Sequence, residues 1–170
     1  MTEADAAAVS AQLGRPVRGA HAVAWRCPCG QPAVIETEPR LPDGTPFPTT
    51  YYLTCPRAAS AIGRLEGGGA MKEMNERLAA DEELAAAHRR AHDHYLASRA
   101  KLGDVPEIEG VSAGGLPDRV KCLHALAGHA LAAGPGVDPF GDETIERLPE
   151  WWKHGSCATD SSADRRGAAE

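Results

Sequence analysis

Between Pro117 and Gly134 the chain is apolar on nearly every side, with Val120, Leu123, Ala125, Leu126, Ala127, Ala130 and Leu131 falling all round a helical wheel. A surface helix keeps a polar face, so a helix without one belongs in the interior. The fold must therefore wrap a central helix, expected over 118–133. Pro117 suits its first turn, where a missing N–H is harmless, and Gly134-Pro135-Gly136 ends it.

The partners of that helix can be read on both sides of it. Thr2 is an N-cap for a helix over 3–13 that Gly14 and Pro16 stop. Strand-like residues over 17–26 and 33–37 flank the tight turn Cys27-Pro28-Cys29-Gly30 and predict a hairpin. Prolines at 39, 42, 46 and 48 keep 39–48 irregular. A β-branched and aromatic run over 49–54 reads as a third strand. Helices follow over 58–66, which Gly67-Gly68-Gly69 stops, over 71–78, and from a cap at Asp81 to about 102. The last of these has its core stripe on Leu84, His88, Ala91, Tyr95 and Leu102. A final amphipathic helix over 142–153 carries Trp151 and Trp152. The expected fold class is α+β: a small three-stranded antiparallel sheet packed against several helices, one of them buried. Residues 1–154 are expected to form one globular domain and 155–170, small and charged, a disordered C-terminal tail.

Charge and hydropathy narrow the function classes. A formal net charge of −6 argues against general nucleic-acid binding, which goes with a basic excess. No stretch is long and apolar enough for a membrane span, and residues 1–13 lack the basic start and apolar run of a secretory leader. A cytoplasmic location is expected, and there the five cysteines would be thiols or ligands rather than disulfides.

Three groups of residues carry chemistry. Cys27, Cys55, Cys122 and His124 are of zinc-ligand type and sit at strand ends and at the start of the buried helix, so they are expected to approach one another; whether Cys29 joins them is open. Cys122 and His124 lie about 200° apart on a regular helix and could share an ion only in an irregular first turn. The other reading makes the cysteines small buried hydrophobes. Arg119, Lys121 and His124 form the second group. They place positive charge at a helix start, where the macrodipole already favours anions; a bound phosphate or carboxylate would explain this, and so would ion pairs with Asp118 and the acidic surface. In the third group, His92, Tyr95 and Arg99 share one helix face, and could line a ligand site or make an interhelical polar contact.

The segments Arg26-Cys27-Pro28-Cys29-Gly30, Leu41-Pro42-Asp43-Gly44-Thr45-Pro46-Phe47-Pro48-Thr49, Tyr51-Tyr52-Leu53-Thr54-Cys55-Pro56 and Arg119-Val120-Lys121-Cys122-Leu123-His124-Ala125 occur together with Gly134-Pro135-Gly136-Val137. In this combination the chain resembles bacterial domain-of-unknown-function family 501, found chiefly in actinobacteria. The resemblance runs from about residue 14 to 152 and implies no particular activity or cofactor. Leu116-Pro117 stands where relatives commonly have Met-Pro.

No Walker loop or His-Glu-x-x-His motif is present. The first functional expectation is accordingly a small binding or regulatory domain. It would recognise an anionic, phosphate-type small molecule or a partner protein through Arg119, Lys121 and His124, with Arg99 and His92 nearby. The alternative is a metal-assisted hydrolase of phosphate or amide substrates, with zinc on the Cys/His group and His92 as base.

Overall fold

The computed structural model describes residues 1–157. Helix α1 (Glu3–Leu13) leads into strands β1 (Ala20–Arg26), β2 (Pro32–Thr37) and β3 (Tyr51–Leu53). Helices α2 (Pro56–Gly67), α3 (Ala70–Ala80) and α4 (Glu82–Ala100) follow. A 3-10 turn (Pro106–Ile108) precedes α5 (Leu123–Ala133) and α6 (Pro139–Glu146), and a second 3-10 turn spans Trp151–His154. The strands form one antiparallel sheet in the order β1-β2-β3, with Val34 opposite both Trp25 and Leu53. This is the expected α+β class. No helix among the described residues is long and apolar enough to cross a membrane.

Local signals set most of the boundaries. The Thr2 hydroxyl accepts the Asp5 N–H at 3.1 Å, Asp5 returns a bond to the Thr2 N–H, and Gly14 closes α1 in a left-handed conformation. Asp81 accepts the N–H groups of Glu83 and Leu84 at the start of α4. The apolar face of α5 is buried as its composition requires: Leu123, Leu126 and Ala127 are fully enclosed by Ile62 and Met74 from α2 and α3 and by Phe140 of α6. Truncating either leucine to alanine would remove about 2–5 kcal/mol.

Three boundaries differ from expectation. The buried helix starts at Leu123, not at 118, because the side chain of Asn75 takes both backbone groups of Val120. Its Oδ1 accepts the Val120 N–H at 2.9 Å and its Nδ2 donates to the Val120 carbonyl at 2.7 Å. Those groups are then lost to a helical ladder, and the N–H groups of Lys121 and Cys122 turn back to the Gly114 carbonyl. The last helix begins at Pro139, earlier than expected, because Asp138 caps it, and it is broken before Pro149, which cannot donate into a continuing helix. The domain also extends past residue 154. Cys157 is fully buried, and Gln12 Nε2 donates to the carbonyls of Pro32 and Cys157 at 2.8 and 3.0 Å. The rest of the expected tail, 158–170, lies outside the described residues.

The centre holds a buried polar chain. Asp138 accepts from His129 Nδ1 at 3.0 Å and from the Gly141 N–H at 3.0 Å, and His129 Nε2 lies 2.9 Å from His94 Nδ1. Neither Asp138 nor His129 has an exposed side chain. Asp138→Ala would strand a buried imidazole and uncap α6, and is expected to lower the unfolding free energy by about 3 kcal/mol or more. Asp138→Asn keeps one acceptor oxygen, enough to cap the Gly141 N–H, and turns an amide N–H toward His129 Nδ1, so it should lose less than alanine. Urea denaturation of the two variants measures the difference; equal losses would show that the cap contributes nothing and that the acceptor for His129 is what matters.

Candidate functional site

Helix α2 and the start of α5 enclose a cleft of about 1010 Å³. From α2 come Arg57, Ser60 and Arg64; from the start of α5 come Cys122, His124 and Ala125; Tyr52, Leu53 and Trp151 complete the walls. A second depression of about 760 Å³ lies between the 110–118 loop, Arg119 and Lys121. Thr49, Cys122 and Ala125 line both, so the Cys122 thiol stands where the two meet.

Cys122 is the N-cap of α5 and has extended backbone, φ −146° and ψ 107°. This irregular entry lets Cys122 and His124 share one face, which a regular helix forbids. Glu66, at the far end of α2, fixes both: its Oε1 accepts the Leu123 N–H at 2.7 Å and faces His124 Nδ1 at 3.2 Å. His124 Nε2 donates to the Ala59 carbonyl at 3.0 Å. With an acceptor opposite each ring nitrogen, the imidazole is held as imidazolium.

The electrostatics follow from these contacts. The adjacent His124 lowers the pKa of the Cys122 thiol against the opposing effects of burial and of the Glu66 charge, and the Ala125 N–H adds to the lowering. Cys122 in turn raises His124 to about 9, with Glu66 and the Ala59 carbonyl assisting. A thiol of lowered pKa at a helix N-terminus beside an imidazolium is disposed to ionise. What His124 contributes to stability is present below its ordinary value of 6.5 and lost as pH rises through about 9. What Cys122 contributes is present above the ordinary thiol range and lost as pH falls through its lowered pKa. The ion pair is complete only between those limits.

The expected anion site is rearranged. Arg119 and Lys121 precede the helix instead of forming its first turn, and the N-terminal N–H of Leu123 is already bonded to Glu66. The two cations are exposed, and among the described residues neither has an ion pair with Asp118 or any other carboxylate. Among the described residues Arg57 and Arg64 also lack a carboxylate partner, and the buried Nε of Arg57 has no acceptor. None of the described residues lining the larger cleft is acidic. Arg99 and His92 line neither depression. The Arg99 guanidinium is buried and donates to the carbonyls of Ile108, at 2.7 Å, Val111 and Pro48, clamping the 105–112 loop. His92 Nδ1 bonds Ser112 Oγ at 2.9 Å. The polar face of α4 is thus an inter-element contact.

The expected metal quartet divides into two groups. The Cys27, Cys29 and Cys157 sulfurs lie within 4.8 Å of one another, and Cys55 contacts Cys157 beside them. Cys122 and His124 belong with Glu66 instead, in a group equally close. The sequence reading missed Glu66, Arg57, Arg64 and Cys157. Only Glu66 left a trace in the sequence, as a carboxylate just before the Gly67-Gly68-Gly69 stop.

The family described as a protein of unknown function, DUF501, matches residues 23–146, more than half of the chain. No curated protein and no solved structure matches it.

Iodoacetamide alkylation of Cys122, followed by mass spectrometry of its peptide, reads the ion pair directly. The wild-type rate should level off below the ordinary thiol range. His124→Ala should return the inflection to about pH 8.5 and slow alkylation at pH 7 roughly tenfold, with the difference vanishing above about pH 9.5. Identical profiles would mean that His124 does not act on the thiol.

Proposed function

The chain belongs to the DUF501 family, and we propose that it binds a small anionic substrate, bearing phosphate or carboxylate, at the junction of the two depressions, where Cys122 acts as the nucleophile. The observation that carries this reading is the Cys122 thiol, primed by His124, standing between Arg57 and Arg64 on one side and Arg119 and Lys121 on the other. In a chain of net charge −6, four cations that have no carboxylate partner among the described residues, placed around one thiol, mark a local demand for negative charge.

The chemistry open to such a site is substitution at a carbonyl or phosphoryl centre. The thiolate forms a bond to carbon or phosphorus, and the bond to the leaving group breaks with its electron pair. His124 supplies the proton that the leaving group needs, and water then releases the product and restores the thiol. Arg57 and Arg64 orient the anionic part of the substrate, and Glu66 keeps the imidazolium aimed at the sulfur.

A small ligand is favoured over a partner protein by the surface itself. Among the described residues only Met1 and Val111 are large hydrophobics that are exposed, whereas the core of a protein interface is apolar and aromatic. The metal-assisted alternative has less support, since His92, its base, lines neither depression and is bonded to Ser112 Oγ behind the wall of the second.

Thermal-shift titrations with phosphate, pyrophosphate, polyphosphate, nucleotides and dicarboxylates test the binding. At least one should stabilise the protein and slow alkylation of Cys122. Arg57→Ala, or Arg119→Ala with Lys121→Ala, should weaken that anion about tenfold or more, since each charge-assisted contact contributes about 1.5–3 kcal/mol. Stabilisation by none of them, with alkylation unaffected, would remove the reading.

A further inference from the structure

The other four cysteines gather on the far side of Trp151, from three distant parts of the chain. Cys27 and Cys29 flank the β1–β2 turn, Cys55 is the N-cap of α2, and Cys157 follows the last 3-10 turn. Cys27, Cys55 and Cys157 are almost wholly buried. Their surroundings are Ala33, Ala58, Trp25 and Trp151, which offer no carboxylate or imidazole.

We infer that Cys27, Cys29, Cys55 and Cys157 bind one zinc ion, which ties the C-terminal segment to the β-hairpin and to the start of α2.

The geometry carries this. Four sulfurs about 2.3 Å from a central ion in a tetrahedron stand about 3.8 Å from one another. Cys27 Sγ and Cys157 Sγ are 3.7 Å apart, and both lie within 4.8 Å of Cys29 Sγ. Cys55 is packed in the same buried cluster and acts on Cys157, and is the remaining sulfur that can fill the fourth position. All of these cysteines are free thiols, so the short separation is not a disulfide.

The groups around the sulfurs are those that thiolate ligands need. The Cys29 N–H lies near the Cys27 sulfur, and the N–H groups of Gln31 and Cys157 lie near the Cys29 sulfur. A neutral thiol is a weak acceptor, and backbone amides gathered around two sulfurs are better matched by metal thiolates. The turn that presents these amides closes with Gly30, at φ 87°, and with the bond from the Cys27 N–H to the Gln31 carbonyl at 2.9 Å. Trp151, packed in the same cluster, has a buried Nε1 with no acceptor among the described residues.

A closed set of four protein ligands has no position open to substrate, so the ion would be structural. The proposal is independent of the thiolate site, because Cys122, His124 and Glu66 form a separate group.

The test is metal analysis of the full chain purified under reducing conditions without chelator. One zinc per chain is expected, retained in Cys122→Ala and His124→Ala, and lost or reduced to a small fraction in Cys29→Ser and Cys157→Ser. Cobalt exchanged into the wild-type protein should give the intense bands of a tetrahedral thiolate site, a readout that needs no variant to fold. Chelation should lower the melting temperature by several degrees or more. Metal-free wild-type protein without cobalt–thiolate bands would overturn the inference. So would iron at full stoichiometry, or zinc that leaves with Cys122 rather than with Cys157.

Discussion

Everything at the candidate site depends on how closely α5 can approach its neighbours, and that approach is made by glycine. A Cβ on Gly128 would stand 3.2 Å from the Tyr51 carbonyl oxygen, so the helix lies directly on β3. A Cβ on Gly141 would collide with the Leu126 carbonyl and come within 2.7 Å of the Ala130 Cβ, so α6 lies equally close on the other side. Helix and strand separations this small leave α5 little freedom to rotate or slide. Its N-terminus is therefore delivered to one place, beside the end of α2, where Glu66 caps it. Cys122 and His124 are brought to the end of α2 in this way, and Glu66 and the Ala59 carbonyl then set the ring. Their relation is inherited from packing around Gly128 and Gly141, well away from any sulfur.

That dependence explains which features could be read from the sequence. Helix α1 was legible from Thr2 and Gly14, α4 from Asp81 and its stripe, and the hairpin from the Cys27–Gly30 turn, because each signal acts within a few residues. The start of α5 was not legible. Val120 belongs to the apolar pattern whether it sits in a helix or in an extended segment that packs into the same core. The decision falls to Asn75, whose amide bonds Val120 from another helix altogether. No local pattern contains that contact. Moving the helix start also changed the chemistry. Two cations assigned to a helix dipole became exposed residues of a loop, and the dipole was met by a protein carboxylate.

The same limit applies to the cysteines. Cys27 and Cys29 announce a turn, and Cys55 a strand end, but Cys157 follows two small residues near a stretch that reads as tail. Only the fold brings it under Gln12 and against Cys27. The pairing of Cys122 with the other cysteines was a natural expectation from residue type. The two regions are separate: Cys55, just past β3 at the N-cap of α2, packs beside Ala33 and Trp151, while Cys122 at the start of α5 lines the cleft with His124 and is grouped with Glu66.

The odd number of cysteines then has a physical reading. Of four of them, Cys27, Cys55 and Cys157 are deeply buried and Cys29 half-buried, packed with Ala33, Ala58, Trp25 and Trp151, so thiolates gathered there call for a metal to hold them. The fifth stands half-buried beside an imidazolium, so its thiolate needs no metal and stays open to the cleft. Burial that suppresses reactivity in the first group is what the second group lacks, and the neighbour that promotes ionisation in the second is what the first lacks. One chain can in this way keep a reactive thiol and an inert sulfur cluster in the same reducing or oxidising surroundings. Attack by an oxidant or alkylating agent is steered to Cys122 by environment alone, and the fold that positions the nucleophile is not put at risk by the chemistry the nucleophile performs.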